Sequence, residues 1–156
     1  MTLALIMSSL ASQSVNVGGV APRVYNGATL PNKIETTSLP ARLLLAGNEE
    51  GRGASGQFVA IGKLDRVVFQ ISDLMLAAPT AQGLGRPQYE PVLKTYVDDY
   101  LAMLRNWRDA GQSNPAQAVL QDFSLTISTI GYPAAVSERY WSVACVVTVA
   151  EWYSGA

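Results

Sequence analysis

Histidine is absent from this 156-residue chain, and cysteine occurs once. The first absence removes imidazole general bases, His-containing triads, most catalytic zinc sites and the ordinary pH switch near neutrality. The second removes intrachain disulfides and cysteine-rich metal clusters, because Cys145 has no second thiol to meet. Charge is scarce as well. Asp, Glu, Lys and Arg make up 15% of the residues, against about 25% in an average soluble chain. The 11 basic and 12 acidic side chains leave a formal net charge of -1, so no basic surface is at hand to grip nucleic acid by its phosphates. Long hydrophobic runs are missing too. The opening MTLALIMSSL falls well short of the ~20 apolar residues a membrane span needs. No Lys or Arg precedes Arg23, so the basic start of a secretion signal is lacking.

What is present is apolar: 49% of the residues are hydrophobic. A chain of this length builds one core and buries roughly 70% of its unfolded surface. With so few charges to coat a solitary particle, the composition predicts that part of the surface is covered by other subunits. Cys145 lies among Ala144, Val146 and Val147 and reads as a small buried thiol.

Leu3, Ile6, Met7, Leu10 and Ser14 recur at helical spacing, which predicts a short amphipathic helix with Thr2 as its N-cap. Residues 16–40 follow, punctuated by Gly18-Gly19, Pro22, Asn26-Gly27, Pro31 and Pro40 and without a sustained period. Val20, Val24, Tyr25, Leu30 and Ile34 make this stretch too apolar for a plain linker. It is expected to lie extended over the domain or over another chain.

Residues 41–46 (ARLLLA) read as a short buried strand. From Gly62 a period of two sets in, with Val67, Phe69 and Ile71 on one side and Arg66, Gln70 and Ser72 largely on the other. Between them lies GNEEGRGASGQ, residues 47–57, so the two strands are expected to form a long hairpin arm with a glycine-rich tip. Gly51, Gly53 and Gly56 match the GxGxxG spacing of dinucleotide sites. That chemistry needs a helix N-terminus after the glycines to hold the pyrophosphate. Phe58, Val59 and Ile61 instead continue as strand, so no cofactor is assigned.

Residues 77–87 form a second loop, and residues 87–110 carry the clearest helix. Tyr89, Val92, Leu93, Tyr96, Val97, Tyr100, Leu104 and Trp107 define its broad apolar face. Asp98 and Asp99 point about 100° apart on such a helix and do not share a substrate, so they read as a solvated or inter-subunit face. Phe123, Leu125 and Ile127 alternate with Ser124, Thr126 and Ser128 in a half-buried strand. In residues 139–151 both alternating sets are fairly apolar, which points to a central strand or to one covered in an assembly. Trp152 and Tyr153 then seal an edge.

The expected fold is therefore α+β: a four-stranded, mostly antiparallel sheet in the order α-β-β-α-β-β, helices on one face and a long hairpin arm. Residues 1–38 form an N-terminal helix and extended arm, and residues 39–156 form the main domain. The carboxylates Asp65, Asp73, Asp122 and Glu138 are scattered, so no catalytic or metal-ligating residue is assigned. An enzyme remains a competing class. So does a module binding small molecules or peptides.

Four segments carry a likeness to a known family: LPARLLL at residues 39–45, the hairpin with its glycine-rich tip, PVLKTYVDDYLAMLRNW at 91–107, and GYP…ERYWSVACVVTVAEW at 131–152. Together, as a layout of elements, they resemble the tail terminator and related head–tail completion proteins of long-tailed bacteriophages. The resemblance spans roughly residues 39–152, and the N-terminal extension departs from it. It implies a non-enzymatic virion subunit assembled in the host cytoplasm. Its copies form a ring, commonly a hexamer, that caps the tail tube and joins it to the neck. Its partners would be itself, the tail-tube protein, a neck or connector protein and viral DNA passing through without specific binding, with no membrane. Glu49 and Glu50, near a loop tip, are then candidates for an acidic lumen, which would not retard DNA. Arg52, Trp152 and Tyr153 are candidate interface residues.

Overall fold

The fold was analysed in a computed structural model, which describes residues 2–26, 29, 31, 34–47, 60–63, 66–80, 85–107, 117–131 and 139–152. Helix α1 spans Thr2–Ala11, followed by strand β1 (Arg23–Asn26), a single 3-10 turn (Thr36–Ser38), β2 (Ala41–Ala46), β3 (Ala60–Lys63) and β4 (Arg66–Pro79). Helix α2 (Arg86–Trp107) separates these from β5 (Gln117–Gly131) and β6 (Arg139–Trp152). The protein is α+β; the described residues form two helices and one mixed six-stranded sheet in the order β1-β2-β4-β6-β5, with β3 paired to β4 off this path. The expected four strands and α-β-β-α-β-β order need correcting. Two short strands add to the four: β1, drawn from the punctuated segment and parallel to β2, and β3.

The hairpin arm matches the expectation in part: β2 pairs antiparallel with β4, the strand carrying Phe69 and Ile71, but a separate short strand, β3, lies along it as well. β2 and β3 do not pair with each other. Both lie antiparallel to β4, end to end along the same edge of it. Ala46 pairs with Ile71, the Gly47 N–H donates to the Gln70 carbonyl at 2.8 Å, and Ala60 pairs with Phe69. The ladder thus steps from residue 47 to residue 60 without losing register. Lys63 pairs with Arg66 at the other end of β3. The glycine-rich segment itself lies outside the described residues.

β4, β5 and β6 run for 14 to 15 residues, about 45 Å at the usual rise. β6 is central, and both of its alternating sets are buried. Val143, Cys145, Val147 and Val149 join Ile71 and Met75 of β4 under the helices, against Ile6 and Leu10 of α1 and Leu93, Tyr96, Tyr100, Leu104 and Trp107 of α2. These α2 residues recur at three and four, which is why a 22-residue helix lies flat on the sheet. The Trp107 indole N–H donates to Ser9 Oγ at 3.0 Å and ties the end of α2 to α1. The opposite sheet face has its own smaller cluster. Leu43, Leu74, Leu76, Tyr140 and Ala144 are covered by Ile34, with Tyr25 and Leu39 packed alongside.

Three glycines, at two places, fix the chain path. Gly18 and Gly19 both have positive φ, 57° and 83°, and make a two-residue turn closed by mutual Val17–Val20 backbone hydrogen bonds of 2.8 and 3.0 Å. Gly62 has φ 142°, and a Cβ there would collide with the Arg66 backbone carbonyl. Gly62→Ala is therefore expected to destabilise the protein by about 1–3 kcal/mol. Urea unfolding checks this, and a variant with an unchanged midpoint contradicts it.

Candidate functional site

Two features stand out above the packed core: a sealed charge cluster beneath the helices and an open edge along β5. The cluster begins with two charged residues inside apolar strands. Arg42 of β2 and Asp73 of β4 lie diagonally on the helix-bearing face, since Arg42 pairs with Met75 and Leu44 with Asp73. The Arg42 Nε donates to Asp73 Oδ1 at 2.8 Å, and Nη2 donates to Oδ2 at 2.6 Å, a two-pronged pair. The remaining donors reach back to the end of α1 and the turn after it, Nη2 to the Leu10 carbonyl at 3.1 Å and Nη1 to the Gln13 carbonyl at 2.7 Å. A cation held against carbonyls at the end of a helix also complements the helix dipole. From α2, Tyr100 Oη donates to Asp73 Oδ2 at 2.6 Å. The guanidinium carbon sits 6.0 Å from the Tyr100 ring centroid.

Arg42, Asp73 and Tyr100 are 1%, 2% and 0% exposed. Burial works against the charge on Arg42, yet Asp73 outweighs it and holds the guanidinium above its ordinary pKa. Burial, reinforced by the Asp73 charge, pushes the Tyr100 phenol well above its ordinary value. The same two causes, in the same order, push the Cys145 thiol up to about 12. The cluster fastens α1, β2, β4 and α2 to one another.

The second feature is accessible. Among the described residues β5 pairs with β6 alone, leaving a 15-residue edge. Gln121 is an extra residue between the Leu120 and Asp122 pairings, and Asp122 Oδ1 accepts the Phe123 N–H at 2.8 Å. Helix α2 leaves this strand only partly covered. Phe123 and Ile127, on the helix-bearing face, remain 44% and 36% exposed. Two hollows follow the seam between α2 and β5. One, of about 230 Å³, is lined by Leu101, Leu104, Arg105, Leu120, Asp122 and Phe123 among others. The other, of about 310 Å³, is lined by Glu90, Leu93, Ile127, Ser128, Thr129 and Trp141. Trp141 stacks on Tyr89 with ring centroids 6.2 Å apart, and among the described residues its buried indole N–H has no hydrogen-bond partner.

Of the residues singled out from sequence, Glu49, Glu50, Arg52 and Tyr153 lie outside the described residues. Trp152 ends β6, where its backbone pairs with both Arg66 and Gln117. Asp98 and Asp99 are exposed on α2, Asp122 is exposed on β5, and Asp73 is buried in the cluster, so these four carboxylates share no site. Asp65 and Glu138 lie outside the described residues. Among the described residues no three His, Cys, Asp or Glu side chains gather as a metal site. No helix there is long and apolar enough to cross a membrane.

Sequence reading passed over Arg42 and Tyr100. A signal for them exists: one Arg within ARLLLA and one Asp within ISDLML each interrupt a buried strand. A charge in such a place needs an opposite charge and further hydrogen bonds. In comparisons with protein-family models and with curated proteins, the chain matches none.

Asp73→Asn leaves the guanidinium buried without its counter-charge and is expected to lower unfolding free energy by about 3–5 kcal/mol. Tyr100→Phe removes one hydrogen bond to a carboxylate, for about 1.5–3 kcal/mol. Urea titrations at neutral pH measure both. Alkaline pH provides a separate check. Cys145 and Tyr100 hold their protons more tightly when folded. Their stabilisation is whole below the ordinary values of 9.0 and 10.0 and is lost as pH rises through and beyond them. Stability is expected to fall from about pH 9 upward, and Cys145→Ala to flatten the first part of that decline.

Proposed function

We propose that this protein is a structural subunit of a long-tailed phage virion, one copy of a ring that terminates the tail tube and joins it to the neck. The observation that carries this reading is the bareness of the sheet's two ends. Proteins that work alone blunt a long edge strand with Lys, Pro or a covering element. β5 contains no Lys and no Pro, and Asp122 is its single charge. Its apolar Phe123 and Ile127 lie open. At the other end of the sheet, Val24 of β1 is exposed, as is Val20 shortly before it in the chain. Two different apolar ends on one molecule suit a contact in which one patch meets another on the next copy. Repeated about an axis, such a contact closes a ring. A six-fold ring is what the family resemblance implies.

A charge content of 15% supports the same reading, because neighbours cover surface that a monomer would have to keep wet. The net charge of -1 suits a lumen through which DNA slides without being held. Glu49 and Glu50 are assigned to that lumen, and Arg52, Trp152 and Tyr153 to contacts with neighbouring subunits. The partners are further copies, the tail-tube protein and a neck or connector protein. The chemistry is assembly rather than catalysis. Another connector layer of the same head–tail junction is the nearest alternative. A peptide-binding module is a second reading, and the seam beside β5 with its unpartnered Trp141 indole favours it.

Mass measurement of the purified protein, alone and with its tail-tube protein, tests the reading. The expected result is a discrete multiple of the 16.7 kDa protomer. A monomer that persists at micromolar concentration in both samples overturns it. A reconstruction of the ring is expected to place residues 47–57 toward the axis, and finding them on the outer wall removes the lumen assignment.

A further inference from the structure

We infer that β5 of one copy pairs with β1 of a second copy of this chain, edge to edge, so that the sheets run on from subunit to subunit. This rests on the ring reading and names the two surfaces that meet. The first argument is which face each exposed residue occupies. Val24 pairs with Arg42, so it lies on the helix-bearing face. Phe123 and Ile127 pair with Val147 and Val143, whose side chains lie under the helices, so they share that face. A sheet that continues in the same orientation brings Val24 beside Phe123 and Ile127 of the next copy. Leu5, 64% exposed on α1, lies on the same side as these residues.

The second argument is charge. Arg23 pairs with Ala41, and Asp122 pairs with Thr148, which puts both on the opposite face. Both are exposed. Following strand directions across the order β1-β2-β4-β6-β5 shows that β1 and β5 run antiparallel. When Val24 stands opposite Phe123 in an antiparallel pair, Arg23 lies diagonal to Asp122, within reach of a long side chain. One register therefore matches an apolar pair on one face and an opposite-charge pair on the other. The third argument is the backbone. The Arg23 N–H is turned inward to the Pro40 carbonyl at 3.0 Å. In an alternating strand the groups of Val24 then point outward, toward the incoming strand.

Pairing of two β5 strands about a two-fold axis is the competing arrangement. It also sets Phe123 against Ile127, but it leaves Arg23 and Val24 unused and brings no opposite charges together.

The test has two arms in the full-length chain. In the first, Arg23→Asp and Asp122→Arg are made singly and together. Each alone is expected to raise the concentration at half-assembly by about fivefold, and the double variant to return it close to that of the parent. Assembly that is unaffected by either single change, or a double variant as weak as the worse single one, overturns the inference. In the second arm, Val24→Cys and Phe123→Cys are combined on one chain and oxidised. Cys145 is buried and does not compete. The double variant is expected to give a ladder of covalent oligomers, and each single variant to remain uncrosslinked. Efficient dimers from Phe123→Cys alone show the two-fold pairing and overturn the inference. Discrete oligomers with no ladder overturn it while leaving the ring reading intact. A parent protein that is monomeric throughout overturns both.

Discussion

The Arg42–Asp73 pair is the constraint around which the rest of the structure is arranged. It brings four elements to one point: two strands supply the charges, α2 supplies the Tyr100 hydroxyl, and the end of α1 and the turn after it supply one carbonyl each. A buried ion pair adds little net stability against a well-packed apolar replacement, because desolvation offsets most of the attraction. What it does supply is position. Three directional donors and a bidentate carboxylate admit one placement of α1 over the sheet, where apolar contacts alone would tolerate several. For a short N-terminal helix of ten residues, far too short to be stable alone, that anchoring decides where it sits.

Placement of the helices in turn decides which surface is left bare. Both helices pack over the interior of the sheet, where β4 and β6 bury residues on both faces. The far edge, β5, receives only part of that cover. The N-terminal segment closes a region of the opposite face through Ile34, Tyr25 and Leu39 and then contributes β1 as the other edge. Among the described residues, the sheet is therefore buried on both faces at its middle strands and more thinly covered at its two outer ones.

Much of the layout was legible in the residues. The helix face from Tyr89 to Trp107, the strand at residues 41–46 and the two-sided burial of residues 139–151 follow from spacing, because period and burial are coupled in any packed element. β1 was not legible. Four residues with the pattern RVYN carry no period long enough to read, and β1 is a strand only because β2 offers it an edge. That β2 and β3 share one edge of β4 was not legible for a related reason. Alternation tells which way side chains face and says nothing about which strand lies alongside.

By itself, then, the sequence determined the fold class, the main helix, the long strands and the exclusion of imidazole and cysteine-cluster chemistry, because composition and local period act over short stretches of chain. Only the tertiary structure decided that Arg42, Asp73, Tyr100 and the Leu10 and Gln13 carbonyls meet, and that among the described residues β1 and β5 are the ends of one sheet. Those facts depend on pairing between residues tens of positions apart, and such pairing is set by the simultaneous burial and hydrogen bonding of the whole core.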